Sequence, residues 1–322
     1  MKLCVLTVPY NSLSLEEAMA KLSAMGVQAV ELGAGGYPGS AHLDVKGMLE
    51  DDAKVQEVKD LALKYKIEIG AIACHGNPIH PNKEIAADFH NQFTDAVLVA
   101  EKLGVDTIVT FSGCPGDHDG AKLPNWVTCA WPTDYQEVLT YQWNDVLIPY
   151  WKKTAAFAES HGVNKIALEM HPGFCVYNPA TLLKLREAVG GDVIGANFDP
   201  SHLFWQGINP VNAIKAMKGT IHHFHAKDTK IDETNTAVNG VLDTGSYGSL
   251  ADRSWLFRTV GYGHDMAEWK DIISTLKMGD YDGLISIEHE DALMSVDEGL
   301  IKAVEFLKDV IIYESPAEMW WA

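Results

Sequence analysis

The sequence has few basic residues and no cluster of them. Its 322 residues include 25 Lys and Arg against 44 Asp and Glu, which gives a formal net charge of −19. So acidic a surface repels the phosphates of nucleic acids and of anionic lipids. No apolar run approaches the length of a membrane span. We therefore expect neither a nucleic-acid partner nor a membrane partner.

Cysteine is also scarce. The five cysteines, at positions 4, 74, 114, 129 and 175, have no tight spacing, so they indicate neither a disulfide framework nor a zinc ribbon. The apolar run at residues 1–7 is too short for a signal peptide and lacks a small-residue cleavage site. We expect a reduced, cytoplasmic setting.

What the sequence does contain is a regular alternation of short apolar runs and helix-like segments. Eight strand-helix pairs can be placed, which predicts a (β/α)8 TIM barrel. No linker or shift of composition divides the chain, so we predict a single domain over residues 1–322. Predicted strands one to four and eight lie at residues 2–8, 27–32, 67–73, 107–111 and 283–288. A helical region at 135–161 contains Pro149, which we expect to break it into two helices.

Two long segments interrupt this alternation. They occupy residues 112–133 and 229–263, after the predicted fourth and seventh strands. Because both follow strands, we expect these long loops on the catalytic face of the barrel, as lids or partner surfaces.

The last four predicted strands each end in an acid or a histidine. The fifth ends at Glu169, the sixth at Asp199, the seventh within residues 221–228, and the eighth at Glu288. A side chain at the carboxyl end of a barrel strand points into the mouth of the barrel. The oxygen and nitrogen donors on this rim predict a metal site. His75 and Asn77, after the third strand, are expected at the same rim.

These strand ends also carry a resemblance. The chain resembles the xylose-isomerase-like TIM-barrel superfamily, in particular the sugar isomerase and epimerase group that contains ketose 3-epimerases, inosose dehydratase and hydroxypyruvate isomerase. The motifs that carry it are Leu168-Glu169-Met170-His171, Phe198-Asp199-Pro200-Ser201-His202, His223-Phe224-His225-Ala226-Lys227-Asp228, Gly261-Tyr262-Gly263 and Ser286-Ile287-Glu288-His289-Glu290-Asp291.

The resemblance implies roles for individual residues. Glu169, Asp199, His225 and Glu288 would be the metal ligands, and Glu169 and Glu288 would also be the acid/base pair. His202 would contact the substrate near the metal.

Other substrate contacts are predicted from position. His171, His75 and Asn77 are candidates at the rim. The ketose 3-epimerases carry an Arg shortly after the seventh-strand histidine, and this chain has Lys227-Asp228-Thr229-Lys230 there. This departure disfavours a simple ketohexose 3-epimerase, and it makes Lys227 and Arg258, or Arg253, the candidate cations.

Several neighbouring side chains are given structural roles. We expect His222 and His223 to be core imidazoles, with contact to a metal ligand as the alternative for His223. The remaining expectations are that His289, Glu290 and Asp291 fix loops or support the ligands, and that His264 and Trp205 form pocket walls.

The predicted chemistry is removal of a proton next to a carbonyl. A divalent cation stabilises the resulting enediolate and a carboxylate takes the proton. Three carboxylates and one imidazole suit Mn²⁺ first, with Mg²⁺, Co²⁺, Zn²⁺ and Fe²⁺ as alternatives. We predict a metal-dependent isomerase or epimerase of carbohydrate metabolism that acts on an unphosphorylated keto-sugar or cyclitol.

Alternatives remain open at this point. The same site could serve a lyase, as in inosose dehydration or in the catalytic subunits that cleave 3-oxo-glycosides, including C-glycosides. The long loops favour a larger substrate with an aglycone, or a small partner subunit over the mouth, and relatives suggest a homo-oligomer. An abasic-site endonuclease, which uses about three zinc ions, is disfavoured by the charge. A non-catalytic binding protein ranks last.

Overall fold

The computed structural model of the chain describes residues 1–315 and 317–322. Its strands, in chain order, are β1 (Lys2–Leu6), β2 (Ala29–Gly33), β3 (Glu68–Ala73), β4 (Thr107–Phe111), β5 (Lys165–Glu169), β6 (Ile194–Phe198), β7 (Ile221–Ala226), β8 (Asp228–Ile231), β9 (Trp255–Arg258) and β10 (Leu284–Ile287).

The helices surround these strands. In chain order they are α1 (Leu15–Ala24), α2 (Val45–Glu50), α3 (Asp52–Tyr65), α4 (Lys83–Leu103), α5 (Asp134–Tyr141), α6 (Ile148–Ser160), α7 (Pro179–Val189), α8 (Pro200–Phe204), α9 (Pro210–Ala216), α10 (Glu233–Asn239), α11 (Met266–Met278) and α12 (Val296–Val310). In the part of the chain that the structure describes, none of these helices has the length and hydropathy that crossing a bilayer requires.

Eight of the strands close into one parallel barrel in the order β1-β10-β7-β6-β5-β4-β3-β2. The predicted TIM barrel is confirmed, with its long segments after the fourth and seventh barrel strands. The short, almost wholly buried strands explain why the apolar runs could be placed from sequence.

The barrel separates its side chains by the strand period of two. Phe198 of β6 and Phe224 of β7 point outward and stack at 5.8 Å, and Trp269 of α11 packs on Phe224. Their neighbours in sequence, such as His223 and His225, therefore point into the barrel. This alternation places polar side chains inside a shell of apolar packing.

The two long segments differ in structure. The described residues of 112–133 contain no helix or strand. The segment 229–263 is more ordered than its sequence indicates, because β8 and β9 pair antiparallel, with Asp228 opposite Arg258, and α10 lies between them. Both segments lie beyond the carboxyl ends of barrel strands.

Some predicted boundaries are wrong. Pro149 does not break the helical region, because it lies in the first turn of α6, where a missing backbone N–H leaves no hydrogen bond unmade. The change of geometry comes earlier, in a π-helical turn at Gln142–Leu147. The short helices α2, α8 and α10 were not predicted, since each is seven residues or fewer and lacks a full amphipathic period.

Candidate metal centre

Four strand ends bring potential metal ligands together. Glu169 ends β5, Asp199 follows β6, His225 lies near the end of β7, and Glu288 follows β10. One ligand atom from each lies within 4.8 Å of those from the other three. Three of the side chains are almost fully buried, and Glu288 keeps 16% exposure. The structure thus places the four predicted ligands in one cluster at the mouth of the barrel.

Glu169 is held on both of its carboxylate oxygens. Oε1 accepts a hydrogen bond from His202 Nε2 at 3.0 Å, and Oε2 accepts from His75 Nε2 at 3.1 Å and from Asn197 Nδ2 at 3.0 Å. Burial by itself raises the pKa of the Glu169 carboxyl, but hydrogen bonds from His202, His225 and His75 bring it well below its usual range. Glu169 is therefore a fixed carboxylate.

Lys227 places a buried ammonium group beside the cluster. Its Nζ donates to Glu288 Oε2 at 2.6 Å and to Glu290 Oε2 at 3.1 Å, and lies 3.2 Å from Asp199 Oδ2. It also lies 4.6 Å from the centre of the Phe257 ring. Burial raises the pKa of Glu288, but Lys227 outweighs it and lowers this pKa to about 2. Lys227 is thus the cation of the site.

Glu31 of β2 supports the cluster from inside the barrel and was missed by the sequence analysis. It is fully buried, and its carboxylate accepts hydrogen bonds from His225 Nε2 at 3.1 Å, His223 Nε2 at 2.9 Å and Ser286 Oγ at 2.8 Å. This bond keeps a proton on His225 Nε2 and turns Nδ1 towards Glu169 and Glu288, which lie 3.3 and 3.2 Å away. The sequence feature that could have identified Glu31 is the presence of an acidic residue inside the apolar run Ala29–Leu32.

The two neighbouring histidines of β7 face opposite ways. His223 is not simply a core imidazole, because it bonds to the carboxylate that orients His225. His222 lies outside the barrel and bonds to the carbonyl oxygen of Asp192 at 2.8 Å.

The predicted substrate-contact residues divide into two groups. His75, His202 and Lys227 touch the carboxylates of the cluster, and the ring of His171 lies 4.1 Å from that of His202. Burial lowers the pKa of His171 to about 3, which keeps this imidazole neutral.

The second group lies away from the cluster. The Asn77 side chain bonds to the backbone N–H and carbonyl of Cys114, so it holds the start of the 112–133 segment. Arg258 forms an ion pair with Asp291 at 3.0 Å. The other candidate cation, Arg253, bonds to backbone carbonyls of its own segment.

Comparison with known proteins assigns the family. The family model described as "Xylose isomerase-like TIM barrel" matches residues 19–310. The chain belongs to the xylose isomerase-like TIM barrel family. It is 38% identical over 314 residues to the uncharacterized protein YfiH of Bacillus subtilis, which covers 97% of this chain and 99% of that protein.

Two further similar proteins are more distant. The inosose dehydratase of Bacillus thuringiensis is 24% identical over 181 residues, which span 50% of this chain and 59% of the dehydratase. The structure of the IOLI protein with a bound zinc atom superimposes with a TM-score of 0.66 and 18% identity, covering 98% of this chain and 100% of that one.

The cluster has the chemistry of a divalent-cation site. Among the described residues, buried Asp199 Oδ2 receives no hydrogen bond, and its only close neighbours of opposite charge or polarity are Lys227 Nζ at 3.2 Å and His202 Nε2 at 3.3 Å. This oxygen therefore keeps the capacity to bind a metal ion. Burial raises the pKa of Asp199 to about 6 despite the opposing charge of Lys227. Three carboxylates and one ammonium leave two negative charges, which match a divalent ion. Glu169, Asp199, His225 and Glu288 would hold it.

A second buried carboxylate anchors the 229–263 segment of this family member. Asp228 Oδ2 accepts from the backbone N–H groups of Gly261, Gly263 and His264 and from Trp269 Nε1, while Oδ1 accepts from His264 Nδ1 at 2.7 Å. A Cβ on Gly263 would lie 2.3 Å from the Thr229 carbonyl oxygen, so only glycine permits this approach.

The structure also places the residues that were predicted to form pocket walls or to fix loops. His264 stacks on Phe204 with ring centres 3.6 Å apart, and Trp205 stacks on Trp255 at 4.7 Å. Asp291 accepts from the backbone of Thr259 and Leu293 and so fixes its loop. His289 packs against Gly299 of α12.

Proposed function

We propose that this protein is a metal-dependent lyase that removes a proton beside the carbonyl of an unphosphorylated keto-sugar or keto-cyclitol and expels the β-substituent. The observation that carries the proposal is the difference in hydrogen bonding between the two candidate catalytic carboxylates, Glu169 and Glu288. Both oxygens of Glu169 accept hydrogen bonds from side chains, whereas in the described part of the chain no hydrogen bond reaches Glu288 Oε1.

One free carboxylate is suited to elimination. Glu288 Oε1 would take the proton from the carbon next to the carbonyl, and the C–O bond at the β-carbon would then break as the C=C bond forms. Because Glu169 accepts hydrogen bonds on both oxygens and Asp199 would serve as a metal ligand, the protonated Glu288 is the group placed to return that proton to the departing oxygen. Proton and leaving group would then depart from the same face of the substrate.

The surrounding residues would orient the substrate and balance its charge. Lys227 and His202 border the cluster and can donate to substrate oxygens, and neutral His171 adds an imidazole at the same edge. A divalent ion in the four-ligand site would polarise the carbonyl as a Lewis acid and stabilise the enediolate. The ligand set favours Mn²⁺ first, and the zinc of the IOLI protein keeps Zn²⁺ among the candidates.

One named relative supports an elimination, and the hydrogen bonds of Glu169 disfavour an epimerase. The inosose dehydratase of Bacillus thuringiensis carries out a dehydration by name and aligns with half of the chain. An epimerase of the predicted kind needs Glu169 as a second base on the opposite face, and the hydrogen bonds from His75, His202 and Asn197 hold that carboxylate in place.

The test is a reaction in D₂O. The metal-loaded protein is incubated with inososes, 3-oxo-glucosides and ketohexoses, and the products are read by NMR. We expect loss of water or of an aglycone, and a decrease of at least about 10²-fold in the rate for Glu288→Gln, because a positioned base contributes that much. Glu305→Gln, which removes an exposed carboxylate of α12, should keep the full rate. Deuterium incorporation without loss of a group would establish the epimerase instead.

A further inference from the structure

A cavity of about 400 Å³ opens beside the candidate metal centre. His171 and His202 form the wall that it shares with the centre, Pro172, Gly173 and Trp205 adjoin that wall, and the two long segments form the rest. Its aromatic lining residues are Trp126, Trp205, Tyr247, Trp255 and Phe257. We call this cavity the aromatic cleft. Its volume lies within the range of roughly 300–1,000 Å³ that small-molecule sites occupy.

Four of the five rings of the aromatic cleft, all except Trp126, form a continuous surface that begins at the centre. The edge of His202 meets Phe257 with ring centres 5.3 Å apart, Phe257 contacts Trp255 at 5.1 Å, and Trp255 stacks on Trp205 at 4.7 Å. Tyr247 is tilted by only 18° relative to Phe257. A flat group that starts at the centre therefore meets aromatic rings along its length.

Groups that are not part of this aromatic surface hold its rings in position. The buried guanidinium of Arg253 lies 4.1 Å from the ring centre of Tyr247 and 4.8 Å from that of Trp255. The Trp255 indole N–H donates to the carbonyl oxygen of Val241 at 3.0 Å. The cleft is thus preformed, which reduces the conformational entropy that would be lost when a ligand binds.

Two donors in the aromatic cleft lack partners. The indole nitrogens of Trp126 and Trp205 are buried, and neither has a hydrogen-bond acceptor within the described chain. Buried N–H groups in folded proteins are nearly always paired, so an unpaired one indicates an acceptor that comes from outside the protein. Both groups belong to residues that line one cavity, so a ligand with oxygen acceptors in this cavity would be a source of the missing partners.

The lining offers little else to a polar ligand. The carboxylate of Asp243 already accepts from the backbone N–H groups of Gly245 at 2.7 Å and Ser254 at 2.8 Å. Besides the two histidines and Asp243, the described lining has hydroxyl groups only on Thr128, Thr244 and Tyr247. A second sugar ring would bring several hydroxyl groups that each need a partner, so it matches this mostly apolar lining less well than a flat ring does. A planar aromatic ring with one or two oxygen substituents matches both the ring surface and the two indole donors.

We propose that the aromatic cleft binds an oxygen-bearing aryl aglycone, so that the substrate is an aryl keto-glycoside. Its sugar would occupy the centre and its aglycone the cleft. This inference rests on the proposed function, because that function places the keto-sugar at Glu288. The shared wall of His171 and His202 lets one molecule fill both places.

The test compares two substrates in matched proteins. Elimination of 4-nitrophenol and of methanol from the corresponding 3-oxo-β-glucosides is measured as kcat/KM for the metal-loaded wild type, Tyr247→Ala and Tyr262→Ala. Tyr247 lines the cleft and is 59% exposed, whereas Tyr262 lies on the same segment outside the cleft and is 43% exposed. Leaving-group ability is the same for all three proteins, so a change in the aryl-to-methyl ratio reports the cleft.

We expect Tyr247→Ala to lower the aryl-to-methyl ratio of kcat/KM by about 10-fold, which corresponds to about 1.4 kcal/mol and is typical of a lost aromatic contact. Tyr262→Ala should leave the ratio unchanged. Trp205→Phe keeps an aromatic ring but removes the indole N–H. It should therefore lower the ratio of kcat/KM for the 4-nitrophenyl substrate to that for the methyl substrate. The same ratio for an unsubstituted phenyl substrate should stay nearer to the wild-type value. An equal ratio in wild type and Tyr247→Ala would overturn the proposal, as would a preference for a 3-oxo-disaccharide over the aryl substrate.

A binding measurement separates this proposal from the function on which it rests. Calorimetric titration with the unoxidised glycosides 4-nitrophenyl β-glucoside and methyl β-glucoside needs no turnover. Tighter binding of the aryl compound to wild type, lost in Tyr247→Ala, supports the cleft even where no elimination is seen. Equal binding of both glycosides in both proteins contradicts it.

Discussion

Lys227 shows how one side chain changes the electrostatics of the whole centre. Without it, Glu169, Asp199 and Glu288 would place three negative charges in a small buried volume. With its ammonium 2.6 Å from Glu288, the site retains two negative charges that a divalent ion can balance. With a divalent ion bound, the four ligands alone would carry one net negative charge. The ammonium of Lys227 balances that charge.

Glu31 acts through His225, and the first prediction concerns this contact. Glu31→Gln removes the charge that holds the N–H of His225, so we expect the affinity for Mn²⁺ to fall by about 10–100-fold, as for other residues that orient a metal-bound histidine. The measurement is calorimetric titration of the metal-free protein with Mn²⁺, with circular dichroism as a check on folding.

The control for this prediction is Glu68→Gln. Glu68 begins the neighbouring strand β3, is exposed, and pairs only with Lys2 among the described residues. Its substitution should leave the Mn²⁺ affinity unchanged. If Glu31→Gln bound Mn²⁺ as tightly as the wild type, Glu31 would have no role in orienting His225.

At the scale of elements, the β8–β9 hairpin carries Phe257 and Trp255 over the mouth of the barrel. Its position depends on Asp228, whose carboxylate collects the backbone N–H groups of Gly261, Gly263 and His264. Since these residues lead into α11, one buried side chain fastens both ends of the 229–263 segment. The segment is therefore part of the wall of the site.

The second prediction tests this anchor. Asp228→Asn keeps the shape but loses the charge that strengthens these hydrogen bonds, so we expect it to lower the free energy of unfolding by about 2–3 kcal/mol. The amides of residues 229–263 should also exchange hydrogen faster. Chemical denaturation and hydrogen-deuterium exchange measure the two effects.

Asp252→Asn serves as the matched variant on the same segment, because Asp252 is exposed in a short 3-10 turn. It should change neither measurement. Exchange in Asp228→Asn that rose equally throughout the barrel would show global destabilisation and contradict a local anchor.

At the scale of the molecule, the candidate metal ligands come from four consecutive barrel strands, β5, β6, β7 and β10. The four side chains come together only when the barrel is closed, so an ion that binds all four must bind the folded protein. Metal binding and folding are therefore coupled. The third prediction is that free Mn²⁺ at 100 times its Kd raises the free energy of unfolding by about 2.7 kcal/mol. EDTA should reverse the gain and abolish turnover.

Metal analysis completes this prediction. We expect about one ion per chain in the loaded protein, whereas about three would favour the nuclease alternative. Asp199→Asn retains the size of a ligand but loses its charge, and it should show little stabilisation by Mn²⁺. An equal gain in wild type and Asp199→Asn would place the ion elsewhere.

Much of this fold follows from local sequence. An apolar run that ends in Glu169 or Glu288 identifies a strand and its exposed end at once, because a barrel buries the strand and opens only its carboxyl edge. The capping box of Ser14 and Glu17 likewise defines the start of α1, as the structure shows. Such features need only a few neighbouring residues.

Other features depend on residues far apart in the chain. Glu31 meets His225 across 194 positions and Asp228 meets Trp269 across 41, so no local pattern assigns their partners. From sequence alone, Pro149 is interpreted as a helix breaker, and only the structure shows that it lies in the first turn of α6.

The sequence alone determined the barrel, the rim that carries the cluster and the residue types of that cluster, because strand period and strand ends are local properties. Only the tertiary structure decided that Glu169 is hydrogen-bonded on both oxygens while Glu288 Oε1 is left free, that Lys227 is buried among the carboxylates, and that two separate long segments enclose one aromatic cleft. These depend on distances between residues that the chain brings together only when the barrel closes.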